Sequence, residues 1–354
     1  GVKKNEDGSY VVPANGKITV TVVNEKKLFK SMTISGEGGT NATSSEVPVI
    51  RNFTVPASGE ISIEVETTEP YAEDKGSYFG NPYLISKEAD VLALARILRG
   101  VGTASDFGRF GAENGDIESF RYGYFRLTTN VFINSSEFYG LGTRSSDGVP
   151  FQGCFDFAGY AATIGITRTA HVYEEFTFVA EEDIYIADYG FFSMIYGADD
   201  KPCLVRNAMV QGYIALNTMA ANITVTDKTR VNAGGLAGTA GKNIVFDGIE
   251  SQVSVSARVQ NASLYIGGVF GICSSGVEKW CDAVYDGEHN NVSGVTYGEK
   301  ASVYAGCFCG VLQNAYADGV VIEGEAAMVL ANSLGDIAGS AVSGGFAGVV
   351  VVRE

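Results

Sequence analysis

The side chains able to do chemistry in this chain are sparse and seldom grouped. Asp199 and Asp200 are adjacent acids, and glycoside hydrolysis needs two carboxylates at a set separation. Lys201-Pro202 follows them and marks a turn, where neighbouring acids ordinarily face solvent. His171 and His289 are the only histidines, and neither lies beside a Gly-x-Ser-x-Gly nucleophile motif. Cys307 and Cys309 are closer than the Cys-x₂₋₄-Cys spacing of zinc sites. Glu181-Glu182-Asp183 and Asp199-Asp200 offer the clustered oxygens that calcium takes, but neither matches a calcium-loop signature. No catalytic residue, metal ligand or cofactor is assigned on these grounds. Aromatic rings are better candidates, because a tyrosine or tryptophan ring stacks on a sugar while its polar edge hydrogen-bonds. Trp280, the only Trp, leads them, with Tyr285 and Tyr196 behind it. The spacing places Trp280 in a projecting loop over 274–290. A Cys273–Cys281 bridge could close that loop; the alternative makes the six cysteines small apolar fillers.

The elements that must position these residues announce themselves through one pentapeptide. Gly234-Gly-Leu236-Ala-Gly238 recurs as Gly267-Gly-Val269-Phe-Gly271, Gly306-Cys-Phe308-Cys-Gly310 and Gly344-Gly-Phe346-Ala-Gly348. The intervals of 33, 39 and 38 residues fall in the range of stacked-repeat architectures. Read as a strand, the pattern sets one apolar side chain between two positions that carry none. Such a unit buries its apolar face only by stacking on its neighbours.

The 354 residues suffice for one long repeat array with an appendage. Apolar residues make up 45%, and 45 glycines are about twice the usual share of ~7%, as tight turns and close stacking require. The net charge of −16 argues against nucleic acid, whose binders are basic, and against anionic membranes. No apolar run approaches a membrane span and no signal peptide is present. Gly1 in place of an initiator Met suggests a true start upstream.

Val12-Pro-Ala-Asn-Gly-Lys-Ile-Thr-Val-Thr-Val22 is echoed by Val55-Pro-Ala-Ser-Gly-Glu-Ile-Ser-Ile-Glu-Val65, a turn followed by alternation each time. Residues 1–70 therefore read as a small β-sandwich, 71–80 as a linker, and 81–354 as the array. Ser86 reads as the N-cap of the one convincing helix, over about 86–99, with Val91, Leu94, Ala95 and Leu98 on one face. Its expected job is to cover the open end of the stack. His171–Asp188 is expected to project like 274–290. The chain stops six residues after the last pentapeptide, so the far end is expected to meet further sequence or another chain.

The repeated Gly-Gly-Leu-x-Gly motif resembles the GLUG repeats of bacterial secreted and cell-surface proteins. Pro82-Tyr-Leu-Ile-Ser86, Tyr124-Phe-Arg-Leu-Thr-Thr-Asn130 and Pro150-Phe-Gln-Gly-Cys-Phe-Asp156 occur in the order such proteins use. The resemblance covers about 80–350 and implies a right-handed parallel β-helix in an adhesin-like surface protein, with no catalytic residues to carry over. Phe157-Ala158, where these proteins usually turn on Gly-Asn, and Cys307 depart from the pattern. The expected role is presenting a rigid face to a glycan or host protein.

Two rivals remain: a β-helix carbohydrate-active enzyme, hydrolase or lyase, and a non-binding stalk. Gly197-Ala-Asp-Asp200 is similar to an element of polygalacturonase-type β-helices, whose Asn-Thr-Asp, Gly-His-Gly and Arg-Ile-Lys companions are missing. After residue 75 the chain carries 17 Lys+Arg against 30 Asp+Glu, which disfavours an anionic glycan and leaves a neutral one. Aligned exposed aromatics would favour glycan binding; two carboxylates facing across a groove would favour hydrolysis; a featureless polar exterior would favour a stalk.

Overall fold

The computed structural model describes residues 3–4, 10–12, 15–22, 28–36, 49–54, 61–68, 76, 81–169, 176–180, 184–198, 202–218, 229–274, 277–286, 290–297, 301–313, 320–323, 328–334 and 339–351. For 277–286, 320–323 and most of the first 70 residues it describes the backbone alone. The chain divides into two compact units, Gly1–Pro82 and Tyr83–Glu354. In the first, Lys17–Val22 pairs antiparallel with Val49–Thr54, and Leu28–Gly36 with Ile61–Thr68. Both alternating segments of the echo are thus strands. Residues 62–65 are exposed on both faces, however, so this stretch buries neither. The stretch read as a linker lies outside the described residues apart from Gly76.

The second unit opens with the strand Tyr83–Ile85 and the helix α1 (Glu88–Leu98). Val91, Leu94, Ala95 and Leu98 enter the core as their spacing requires, and Ala93 and Ile97 join them. The N-cap differs from expectation. It is Lys87, whose side chain caps nothing, while Ser86 donates from its N and Oγ to Asp90 Oδ2 at 3.1 and 3.0 Å. Nor is α1 alone: α2 (Ala104–Phe110) and α3 (Ile117–Arg121) pack beside it. Both are too short to show periodicity, and their caps build them. Thr103 Oγ1 accepts from Asp106 N while the Asp106 carboxylate accepts from Thr103 N. Asp116 likewise accepts from Ser119 N.

From there the unit is mostly parallel β-structure. Strands from Tyr83–Ile85 to Ala161–Arg168 enter an eleven-stranded sheet, and the passes from Ile184–Tyr189 on contribute in turn to a six-stranded, a five-stranded and this eleven-stranded sheet, the last described pass reaching only the first two. One full pass runs Thr229–Gly234, Ala237–Ala240 and Ile244–Gln260. The next pass begins with Ser263–Gly267 and Phe270–Ser274, paired in parallel on the first two strands. On the long strand, Val253, Val255, Ala257 and Val259 are buried while Ser256 and Arg258 are exposed, as the alternation requires.

The pentapeptide is a corner between two sheets, a correction to its reading as a strand. Its first glycine ends the six-stranded sheet's strand, its middle residue turns inward, and its last glycine lies in the five-stranded sheet's strand. Leu236, Val269 and Phe308 are fully buried, and Phe308 stacks on Phe346 at 5.0 Å. The outer glycines are required because backbones meet there. A Cβ at Gly234 would lie 2.5 Å from Phe270 Cα on the next pass; one at Gly271 would lie 2.5 Å from Ala233 N on the previous one. A corner without the motif precedes these four. Phe191 N donates to Gly235 O and Phe192 N to Leu236 O, and parallel pairing continues upstream through Cys154–Asp156 and Tyr124–Leu127 to Tyr83–Ile85.

Parts of both expected loops are strands instead. Val277–Asp286 pairs in parallel with Ile244–Gln260, and Ile184–Tyr189 with Thr229–Gly234. Glu278, Lys279 and Asp282 break the apolar alternation that would mark the first, but backbone pairing with its neighbour decides the matter. Cys273 is a buried free thiol and forms no bridge to Cys281. It pairs in the five-stranded sheet with Ala240 and Leu312, whereas Cys281 lies opposite Asp247 in the eleven-stranded sheet. Cys154, Cys203, Cys307 and Cys309 are also free and buried, as apolar fillers would be.

Candidate functional site

The angle between the five- and six-stranded sheets opens outward into a groove of about 760 Å³. Its floor is one in-register row, Met194, Thr239, Ile272, Val311 and Val349, each one residue beyond a corner glycine or its equivalent strand position. Parallel pairing forces this row, because residues at equal offsets from successive corners become neighbours across strands. Ser274 and Gln313 form the next row and supply hydrogen-bonding groups.

The facing wall carries Arg230, Tyr265 and Tyr304. Tyr265 and Tyr304 are direct register partners, with ring centroids 5.3 Å apart and planes at 66°. The Arg230 guanidinium carbon stands 5.1 Å from the Tyr265 ring centre. All three are half-buried, with one side open to the groove. Tyr196 lines the groove near Gly241, and Lys242 is exposed at the same place.

Arg144 lines this groove and also a second cavity of about 560 Å³, bounded by Tyr139, Asp188 and Phe178 among others. A buried polar knot stands between the two. The Arg144 guanidinium pairs with the Asp188 carboxylate and donates to Thr239 Oγ1 at 2.7 Å. Asn232 Nδ2 donates to Asp188 Oδ1 at 2.8 Å and to Thr239 Oγ1 at 3.0 Å. In the second cavity Tyr139 lies between the guanidinium groups of Arg99 and Arg168, at 4.2 and 4.3 Å from its ring centre.

Of the aromatic candidates read from sequence, Tyr196 lines the groove. Trp280 and Tyr285 lie on the strand Val277–Asp286 of the eleven-stranded sheet, opposite Phe246 and Ser251, and not on the sheets that form the groove. His171, His289, Asp199, Asp200 and Glu181–Asp183 lie outside the described residues. Among the described residues, no three His, Cys, Asp or Glu side chains come together as a metal site would need. The same residues contain no helix long and apolar enough to cross a membrane. The reading by residue type missed Tyr265 and Tyr304, although a positional signal was present. Each stands two residues before the first glycine of a corner, where the other two repeats have Asn232 and Val342. Comparison with protein-family models, with curated proteins and with solved structures finds no match to this chain.

Proposed function

We propose that this chain is an adhesin-like glycan-binding protein of the cell surface or extracellular space, built on a right-handed parallel β-helix. Three sheets visited in turn by parallel strands support the coil, and crossovers between parallel strands are right-handed in about 98% of cases. α1, packed on Val131–Ile133 near the first strands, would serve as its cap. The surface location and the kinship with GLUG repeats rest on the motif resemblance.

The observation that carries the binding role is the groove, where two tyrosines stack in register above a row of apolar and hydroxyl side chains. Aromatic faces beside hydrogen-bonding groups are what a sugar ring needs from a protein. Among the described residues lining the groove there is no carboxylate, which favours binding over the two-carboxylate chemistry of a glycosidase. A plain stalk has no use for such a wall.

The test is a glycan array probed with the purified chain, followed by calorimetry on any hit. Tyr304→Ala is expected to weaken binding on the order of tenfold, the equivalent of ~1.4 kcal/mol. The melting temperature should stay close to that of the parent, since Tyr304 is half-buried. Binding unchanged in Tyr304→Ala and Tyr265→Ala would remove the groove as the site. An empty array would return the weight to a stalk.

A further inference from the structure

We infer that the groove receives the end of a linear glycan chain, not an internal stretch of one, and that Arg144 is the stop against which the terminal sugar rests. This rests on the glycan-binding reading above and narrows it to one part of the ligand. The wall row that carries the two tyrosines runs strand by strand through Asp188, Asn232, Tyr265, Tyr304 and Val342. Rings give way to polar side chains at the Asn232 pass, and there the groove is crossed.

The crossing side chain comes from the segment 141–151. Single parallel bridges at Leu141–Phe192 and Phe151–Ile195 set that segment beside the strand Phe192–Ile195, one strand position beyond the floor row's end at Met194. From here Arg144 reaches both sides of the groove. Its guanidinium pairs with Asp188 of the wall row and donates to Thr239 Oγ1 of the floor row at 2.7 Å. Thr239 Oγ1 and Asn232 Nδ2 also donate to Asp188 Oδ1, which ties the crossing together.

This crossing is fixed in place. The Asp188 side chain is 5% exposed, so withdrawing Arg144 would leave a buried carboxylate without its countercharge, a strongly disfavoured state. Charge-assisted bonds to one planar guanidinium also hold its orientation. An internal stretch of glycan would have to run through this point toward the second cavity, whereas a chain end need only reach it. Asn232 and Tyr265 are register partners one strand spacing of about 4.8 Å apart, so a terminal sugar stacked on Tyr265 lies beside the pass that Arg144 crosses. The rest of the chain then passes Tyr304 toward Val349. Because Arg144 is paired with Asp188, it offers that sugar hydrogen-bond donors and not net charge. An end differs from an internal linkage by a free hydroxyl, which such a donor can meet.

The experiment is calorimetry with cellohexaose, mannohexaose, laminarihexaose and maltohexaose, together with every linear hit from the array. Each is used unmodified, with its reducing end converted to the alditol, and with its non-reducing end capped by a benzylidene group. For a probe that binds, altering one of the two ends should weaken binding about tenfold or more, and altering the other should change it by less than about threefold. The ratio of protein to chain should be one for a hexaose and for a much longer polymer of the same linkage. Arg144→Met combined with Asp188→Asn removes both charges and should bring capped and uncapped affinities within about twofold. A matching melting temperature would show that this variant is folded; if it does not fold, the end comparison and the ratio on the parent chain decide alone. Tolerance of both end modifications, a ratio that grows with chain length, or discrimination untouched in the folded double variant would overturn the inference and leave glycan binding standing. Binding of no glycan at all would overturn both.

Discussion

At Gly271 a Cβ would lie 2.5 Å from the backbone nitrogen of Ala233 on the previous pass, whereas at Gly345 no atom lies within 4 Å of that position. The two glycines look alike in sequence, each inside a pentapeptide. They differ because one faces a neighbouring strand's backbone and the other faces open space. Backbone cannot swing aside as a side-chain end can, so the sheets would have to separate. Gly271→Ala should therefore cost about 1–3 kcal/mol in a urea unfolding curve, the usual range for overpacking. Gly345→Ala should stay within about 0.5 kcal/mol of the parent. Equal effects at the two positions would mean that the corners do not pack this way. Arg230 and the tyrosines show the same dependence on neighbours, since each ring or guanidinium is set against a group on an adjacent strand.

Among the elements, the short helix α2 shows how a seven-residue segment is held. Asp106 closes the capping box with Thr103 and also receives two hydrogen bonds from the guanidinium of Arg96 on α1, at 2.6 and 3.2 Å. The Arg96 hydrogen bonds, helped by the bonds from Thr103, lower the Asp106 pKa from 3.8 to about 2 despite its burial. A carboxylate whose pKa is lower in the folded chain adds stability above its unfolded pKa and loses it as pH falls through the folded one. The contribution should thus be full at neutral pH and disappear between about pH 4 and pH 2. Asp106→Asn should lower stability on the order of 2 kcal/mol at pH 7, judged by ~1.36 kcal/mol per pKa unit. The gap between variant and parent should close toward pH 2, which thermal melts across that range would record. A gap that does not change with pH would point to lost hydrogen bonds alone.

At the scale of the whole array, the groove exists because the passes stack in register. Its floor row from Met194 to Val349 crosses five strands, hence about 19 Å at ~4.8 Å per step. Affinity for an oligosaccharide series should climb as each added sugar reaches another pass and level off once the chain spans the row. Calorimetry on a length series checks this; a plateau at a single sugar would mean that only one platform is used.

The sequence by itself determined the period, the stacking that the period implies, the buried face of α1 and the apolar side chain at the centre of each pentapeptide. These follow from local rules: glycine where no Cβ fits, and apolar residues at the spacing of the element that buries them. Tertiary structure alone decided three further things. It made 277–286 a strand, because pairing with a formed neighbour outweighs the charged residues that break its pattern. It made Gly190-Phe191 a further corner ahead of the four pentapeptides, where hydrogen bonds rather than residue types define the turn. And it brought Arg230, Tyr265 and Tyr304 together on one wall of a groove. Those residues are 35 and 39 positions apart in the chain, yet parallel pairing sets Tyr304 directly beside Tyr265 at an equal offset, and Arg230 diagonally beside Tyr265, two residues before its register partner Asn232.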